Sequence, residues 1–237
     1  MEQTASAIVS PPLPRVWPRF EPPLPLGVMA SGNGSNLEAI AAAIARGDLH
    51  AQIRVVVYNN PQAGVAARAA RLGLPAVLLN HRQYPSREAL DSDIVQTLQA
   101  HGADWVIMAG WMRCVTAVLI DAFPARVLNI HPSLLPSFPG LKAVDQALAA
   151  GVTVAGCTVH HVELAVDSGP VVMQAAVPVA ATDTVATLQA RIQVQEHRIY
   201  PAAIALAALT ALGEGQQAAV GPDAPGQGSA ASAGPWG

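Results

Sequence analysis

Short apolar runs of strand length alternate with Ala- and Leu-rich stretches of helical length, and this alternation restricts the fold more than any other feature. Residues 24–30, 53–58, 76–79, 105–109 and 127–130 read as strands bounded by turn residues, and 35–46, 64–72, 87–100 and 116–122 as the helices between them. Strands that are apolar throughout must be covered on both sides, and βα repeats supply that cover. The expected fold class is therefore α/β, a doubly wound, mostly parallel sheet with helices on both faces. The rhythm then changes: 154–162 and 171–179 are joined by a segment ending in Ser168-Gly169-Pro170, which predicts antiparallel strands near the C-terminus. A last helix is expected after Asp183, read as its N-cap, with Val185, Leu188, Ile192 and Ile199 on one face.

Residues 24–212 are expected to form a single domain. Residues 1–23 carry Pro11-Pro12 and Pro22-Pro23 without a basic start and apolar run, so they read as a flexible, Pro-rich extension rather than a secretory signal. Residues 213–237 are rich in Gly, Ala and Pro, bury too little to offset ordering entropy, and are expected to be a disordered tail. The longest apolar stretch, 200–212, is interrupted by Pro201 and Thr210 and falls short of the ~20 residues of a membrane span, so no membrane partner is expected. A net charge of -3 without a Lys or Arg run excludes the electrostatic footprint of a nucleic-acid binder. Cys114 and Cys157 both lie among apolar neighbours and read as small buried residues, which implies a reducing, cytoplasmic compartment.

Chemistry-bearing residues fall at the ends of the expected strands. Ser31-Gly32-Asn33-Gly34-Ser35-Asn36-Leu37 follows the first strand and opens the first helix. Glycines allow a tight turn there, and the unpaired N–H groups of a helix start attract an anion. A dinucleotide fingerprint would put glycine where Leu37 stands and an acidic residue after the second strand, which instead ends Tyr58-Asn59-Asn60. The loop fits a single phosphate monoester, or a purely structural turn.

Asn129-Ile130-His131-Pro132 closes the strand at 127–130, where alternation points Asn129 and His131 the same way and Pro132 keeps His131 extended. With Asp167, these residues supply an amide, an imidazole and a carboxylate, a set able to hold the charge of a tetrahedral intermediate and move its protons. The same residues are also readable as a core histidine and a distant turn aspartate. His160 and His161 are adjacent in a strand and face opposite sides, His160 toward the crevice and His161 toward the surface; neither has metal-ligand spacing, and no metal is expected. Without a Gly-x-Ser-x-Gly elbow or a cysteine beside a base, direct attack of a substrate amine on an acyl donor is the simplest chemistry.

At these residues the chain resembles the phosphoribosylglycinamide formyltransferase family, over residues 26–203. The matching motifs are the Ser31–Leu37 loop, Ala109-Gly110-Trp111-Met112-Arg113, Asn129-Ile130-His131-Pro132-Ser133-Leu134-Leu135-Pro136, Pro139-Gly140-Leu141, Asp167-Ser168-Gly169-Pro170 and Gln193-Val194-Gln195-Glu196-His197. The resemblance implies the formyltransferase fold and formyl transfer from 10-formyltetrahydrofolate, a co-substrate, to glycinamide ribonucleotide in purine synthesis, by a monomer or homodimer. It assigns the 5′-phosphate to Gly32, Asn33, Gly34 and Ser35, and the rest of the ribonucleotide to Met112, Ile130, Pro132, Gln193 and Glu196. It assigns the folate to Arg87, Arg113, Val115, Asn129, Glu163 and Asp167, and catalysis to Asn129, His131 and Asp167. Two departures stand out. Lys142-Ala143-Val144 replaces a His-Thr-His run of many relatives, and the segment from His161 to Asp167 is less acidic than their folate loop. Formyltetrahydrofolate hydrolase is the enzyme alternative, methionyl-tRNA formyltransferase a more distant one, and a silent ribonucleotide-binding module the non-enzymatic one.

Overall fold

The computed structural model describes residues 7–219, with side chains described for 7–213. In chain order the elements are β1 (Ile8–Ser10), β2 (Leu24–Ala30), α1 (Ser35–Arg46), β3 (Ala51–Tyr58), α2 (Val65–Arg71), β4 (Ala76–Leu78), α3 (Arg87–Ala100), β5 (Trp105–Met108), α4 (Ala117–Ala122), β6 (Val127–His131), α5 (Ala143–Ala149), β7 (Val154–His161), β8 (Val171–Pro178) and α6 (Val185–Ala219). Among the described residues the strands form one sheet in the order β1-β8-β7-β6-β5-β2-β3-β4. The stretch from β6 to β4 is parallel, whereas β7, β8 and β1 are antiparallel to their neighbours.

Strand alternation divides the core between the two faces. Leu26, Val28 and Ala30 of β2 pack with residues of α1, α2 and α6, while Met29 packs on the opposite side with Leu90, Ile94 and Leu98 of α3 and Leu119 of α4. Helices on both faces are what uniformly apolar strands require. Tyr200 of α6 is fully buried, and its hydroxyl lies 3.1 Å from the carbonyl oxygens of both Met108 and Leu128, tying the long helix to β5 and β6.

Four local features depart from the sequence reading. Within the N-terminal stretch 1–23, β1 pairs antiparallel with β8, and Phe20 is buried with its N–H donating to His50 Nδ1 at 3.1 Å. Helix α5 follows Lys142 and buries Ala143, Val144 and Ala147; at seven residues it has too little periodicity to stand out in the sequence. The last helix begins one residue later than expected: Thr184 Oγ1 accepts from the Thr187 N–H at 3.3 Å, whereas Asp183 binds Arg191 and accepts from the Ala180 N–H. Helix α6 also runs beyond 212 to Ala219, through Gly213 and Gly215 into the better helix formers Gln216, Gln217, Ala218 and Ala219; 220–237, the rest of the expected tail, lies outside the described residues. No helix among the described residues is long and apolar enough to cross a membrane.

Candidate active site

Neighbouring strands β2 and β5 connect onward in opposite directions, toward β3 and β6 respectively, so the sheet order reverses between them. Such a reversal opens a crevice at the strand C-termini where ligands bind in open α/β sheets. The Ser31–Ser35 loop leaves β2 at this point and the 109–115 loop leaves β5. The Ser31 N–H donates to the Gly110 carbonyl at 3.0 Å and the Met112 N–H to Ser31 Oγ at 2.9 Å. The resulting cavity has a volume of about 500 Å³, inside the ~300–1,000 Å³ range of small-molecule sites. It is lined at one end by Gly32, Asn33, Gly34 and Ser35 and at the other by Asn129, His131 and Asp167.

Gly34 caps α1 at φ 82°, a left-handed conformation that favours glycine, and a Cβ there would lie 2.7 Å from Val65 Cγ2. Gly34, Ser35 and Asn36 at this helix start all line the cavity, and unpaired N–H groups and the helix dipole there favour negative charge. Gln193 Nε2 donates to Ser35 Oγ at 2.9 Å, so α6 braces the loop. One turn on, the Glu196 carboxylate accepts from Asn36 Nδ2 at 3.0 Å, and both residues are buried. Burial pushes the Glu196 carboxyl above its ordinary range, partly offset by the Asn36 hydrogen bond. A carboxyl raised in the folded state contributes most stability below its unfolded pKa and loses that contribution as pH rises through the folded value. Glu196→Gln is therefore expected to raise Tm in neutral and alkaline buffer, with the difference closing in acid. A Tm for Glu196→Gln below wild type across that pH series would contradict the buried-charge reading.

At the other end, Asn129 and His131 project from one face of β6, and Asp167 folds back over them from the 162–170 segment. Asp167 Oδ2 lies 3.3 Å from His131 Nδ1 and accepts from the Gly140 N–H at 2.7 Å, while Oδ1 lies 3.6 Å from His160 Nε2. Burial raises the Asp167 carboxyl, but the His160 and His131 rings in their protonated forms and the Gly140 N–H outweigh it and hold the group below the ordinary carboxylate range. His131 Nε2 lies 2.9 Å from the Phe138 carbonyl oxygen. Both ring nitrogens thus face acceptors, an arrangement that is attractive at both ends only for the doubly protonated imidazolium. The segment supplying Phe138 is itself pinned: Thr158 Oγ1 donates to the Ser133 carbonyl at 2.7 Å and accepts from the Leu135 N–H at 3.0 Å. Asp167 adopts φ 51°, and Gly169 packs so closely on the His161 carbonyl that a Cβ would clash with it.

Met112, Arg113, Val115, Ile130, Pro132, Glu163, Gln193 and Glu196 also line the cavity, so the structure brings all but one of the expected site residues together. The exception is Arg87, the first residue of α3, which is exposed and does not line the cavity. Its helix acts from behind: Asp91, buried one turn on, accepts from the Thr116 N–H at 2.6 Å and so holds the end of the 109–115 loop. Arg87→Ala is accordingly expected to change the KM for the folate donor less than about twofold, as for surface substitutions generally; a tenfold rise would place the donor's tail on α3.

Cys157 is buried as expected, but Cys114 is exposed at the cavity wall, because it belongs to the loop after β5 rather than to a strand. His160 lines the cavity. His161 faces the other way and is partly buried rather than superficial, since β7 lies inside the sheet with both faces covered. Lys142 lines the cavity at φ 58°. Asn36 and His160 are polar cavity residues to which motif reading gave no role; Asn36 stood inside the anion-loop motif, and alternation already turned His160 toward the crevice, though its pairing with Asn129 follows only from the register of β6 and β7. Among the described residues no group of three or more His, Cys, Asp or Glu is placed to hold a metal ion.

A formyl transferase family model matches residues 26–204. The chain is 40% identical over 177 residues to the phosphoribosylglycinamide formyltransferase of Bacillus subtilis, covering 75% of this chain and 91% of that one. It is 44% identical over 183 residues to the trifunctional purine biosynthetic protein adenosine-3 of Homo sapiens, covering 77% of this chain but only 18% of that much longer protein. Among solved structures, glycinamide ribonucleotide transformylase 1 from Symbiobacterium toebii superimposes with a TM-score of 0.79 at 48% identity, covering 81% of this chain and 90% of that one. The chain belongs to the formyl transferase family and is an enzyme of the transferase class.

Proposed function

We propose that this enzyme moves the formyl group of 10-formyltetrahydrofolate to the amine of 5′-phosphoribosylglycinamide in purine synthesis. One observation carries the reading: a helix-start anion loop and an Asn129-His131-Asp167 cluster line the same cavity, whose volume of about 500 Å³ is that of a small-molecule site. The relatives named for glycinamide ribonucleotide support the choice of acceptor.

In this reading the Gly32–Ser35 loop takes the 5′-phosphate, and Glu196 with the Asn36 side-chain oxygen accepts from the ribose hydroxyls. Asn36 Oδ1 is buried without a hydrogen-bond partner among the described residues, which suits it to that role. The glycinamide amine then reaches the formyl carbon beside Asn129. As the amine nitrogen bonds to that carbon, the carbonyl oxygen becomes an oxyanion. Asn129 donates a hydrogen bond to it, and the His131 imidazolium adds positive charge in a site shielded from water. The attacking nitrogen loses a proton, N10 of the folate gains one through a water positioned by Asp167, and the carbon–N10 bond breaks to release tetrahydrofolate. Arg113, Val115 and Glu163 border the donor. Both reactants are small molecules.

An anion loop is of no use to an enzyme that delivers the formyl group to water, so hydrolysis is the weaker reading. Following tetrahydrofolate release from 10-formyltetrahydrofolate with and without glycinamide ribonucleotide separates them. Release is expected only with the ribonucleotide; equal release without it would make the chain a hydrolase.

A further inference from the structure

His160 is half of a cross-strand pair that the reaction scheme above leaves unused. Register pairs it with Asn129 across β6 and β7, and it is buried at the cavity wall. Its Nδ1 lies 2.7 Å from the His161 carbonyl oxygen, which can only accept, so Nδ1 carries a proton. Its Nε2 lies 3.2 Å from Asn129 Nδ2, within hydrogen-bond reach, and 3.6 Å from Asp167 Oδ1, beyond it. A neutral ring protonated on Nδ1 therefore turns its Nε2 lone pair to the Asn129 amide.

We propose that His160 is a positioning residue that fixes which way the Asn129 amide faces; the catalytic consequence rests on the function proposed above. An asparagine amide has an accepting oxygen and a donating nitrogen of nearly the same shape, and packing alone distinguishes them poorly. Turned one way, Asn129 offers the cavity an N–H for the developing oxyanion. Turned the other, it offers a carbonyl that repels the same charge. By taking one Nδ2 hydrogen, His160 Nε2 selects the first orientation and leaves the second hydrogen for the oxyanion. Placing a proton on Nε2 sets two donors against each other, breaks the anchor and redirects the ring toward Asp167 Oδ1. The ring is held in place at its far side: the His161 carbonyl that accepts from Nδ1 is the one against which Gly169 packs, so the turn carrying Asp167 also fixes the imidazole.

Two measurements test this. Nitrogen NMR of ¹⁵N-histidine-labelled protein in mildly alkaline buffer, with no substrate present, is expected to show His160 as a neutral ring protonated on Nδ1. A ring protonated on Nε2, or on both nitrogens, overturns the proposal whether or not the chain transfers formyl groups. In the formyl-transfer assay, His160→Phe is expected to lower kcat by about 10² with both KM values within about threefold of wild type, as for loss of an oxyanion donor. His160→Gln, whose side-chain oxygen can take the place of Nε2, is expected to recover at least about tenfold of that loss. In an Asn129→Ala background the His160→Phe change is expected to cost less than about threefold, because residues acting through one another are not additive. An undiminished cost in that background, or no recovery by glutamine, means that His160 does not act through Asn129. Absence of any transfer by the wild-type protein would instead sink the proposed function and leave the NMR result to decide the orientation of Asn129.

Discussion

Asp167→Asn is expected to fold normally and to lose about 10²–10³-fold in kcat, the scale typical for removal of one preorganised group at a developing charge. Asparagine tolerates the left-handed backbone that Asp167 adopts at φ 51°, so the turn should survive the change. What disappears is the negative charge between the two imidazoles, His131 Nδ1 at 3.3 Å and His160 Nε2 at 3.6 Å. Without it the His131 ring keeps the Phe138 carbonyl as its acceptor but loses its carboxylate neighbour, and no carboxylate remains to position the relay water. Asn129→Ala and His131→Ala are expected to fall in the same range, for loss of the hydrogen bond and of the charge at the oxyanion. The depressed Asp167 carboxyl also gives a signature in stability. It contributes stability above its unfolded pKa, ~3.9, and that contribution is lost as pH falls through the lower folded value. On acidification, wild type should therefore lose more Tm than Asp167→Asn. Wild-type kcat in a folded Asp167→Asn protein would remove the carboxylate from the mechanism.

Gly34→Ala is expected to act at the other end of the cavity and on a different constant. The new methyl would lie 2.7 Å from Val65 Cγ2 on a backbone at φ 82°, so the loop must shift. Hydrogen bonds to a charged group contribute ~1.5–3 kcal/mol each, so misplacing one or two N–H donors should raise the KM for the ribonucleotide by roughly 10–100-fold, with kcat much less affected. The dephosphorylated acceptor provides the control. If the loop holds the phosphate, Gly34→Ala will cost that acceptor little, and the preference of wild type for the phosphorylated one will shrink. An equal loss for both acceptors would mean that the glycine serves the fold alone.

The parallel part of the sheet was legible in the sequence because its strands are uniformly apolar and separated by whole helices. The expected runs at 24–30 and 35–46 coincide with β2 and α1. Strand β1 was hidden because three residues in a Pro-rich stretch have no period of their own; their pairing with β8 is decided by an edge that only the assembled sheet presents. The same distinction governs the site. Gly34 and Asn129-His131 announced themselves by position just after a strand or at its C-terminal end, where backbone N–H groups and alternating side chains have predictable directions. Alternation likewise turned His160 toward the crevice, but its pairing with Asn129 depended on register between two distant strands, and the exposure of Cys114 on where β5 stops. Arg87 carries no such positional signal: it rests on a motif resemblance alone, and in the structure its helix turns Asp91 inward to brace the loop while Arg87 stays exposed outside the cavity lining.

A crystal structure with a non-reactive folate donor analogue and glycinamide ribonucleotide bound together gives the most direct test that one cavity joins anion binding to formyl transfer. The phosphate should sit on the N–H groups at Gly34 and Ser35, with the glycinamide amine beside Asn129 and His131 and facing the one-carbon position of the donor. A phosphate bound away from that loop, or an amine outside reach of Asn129, would contradict the shared site.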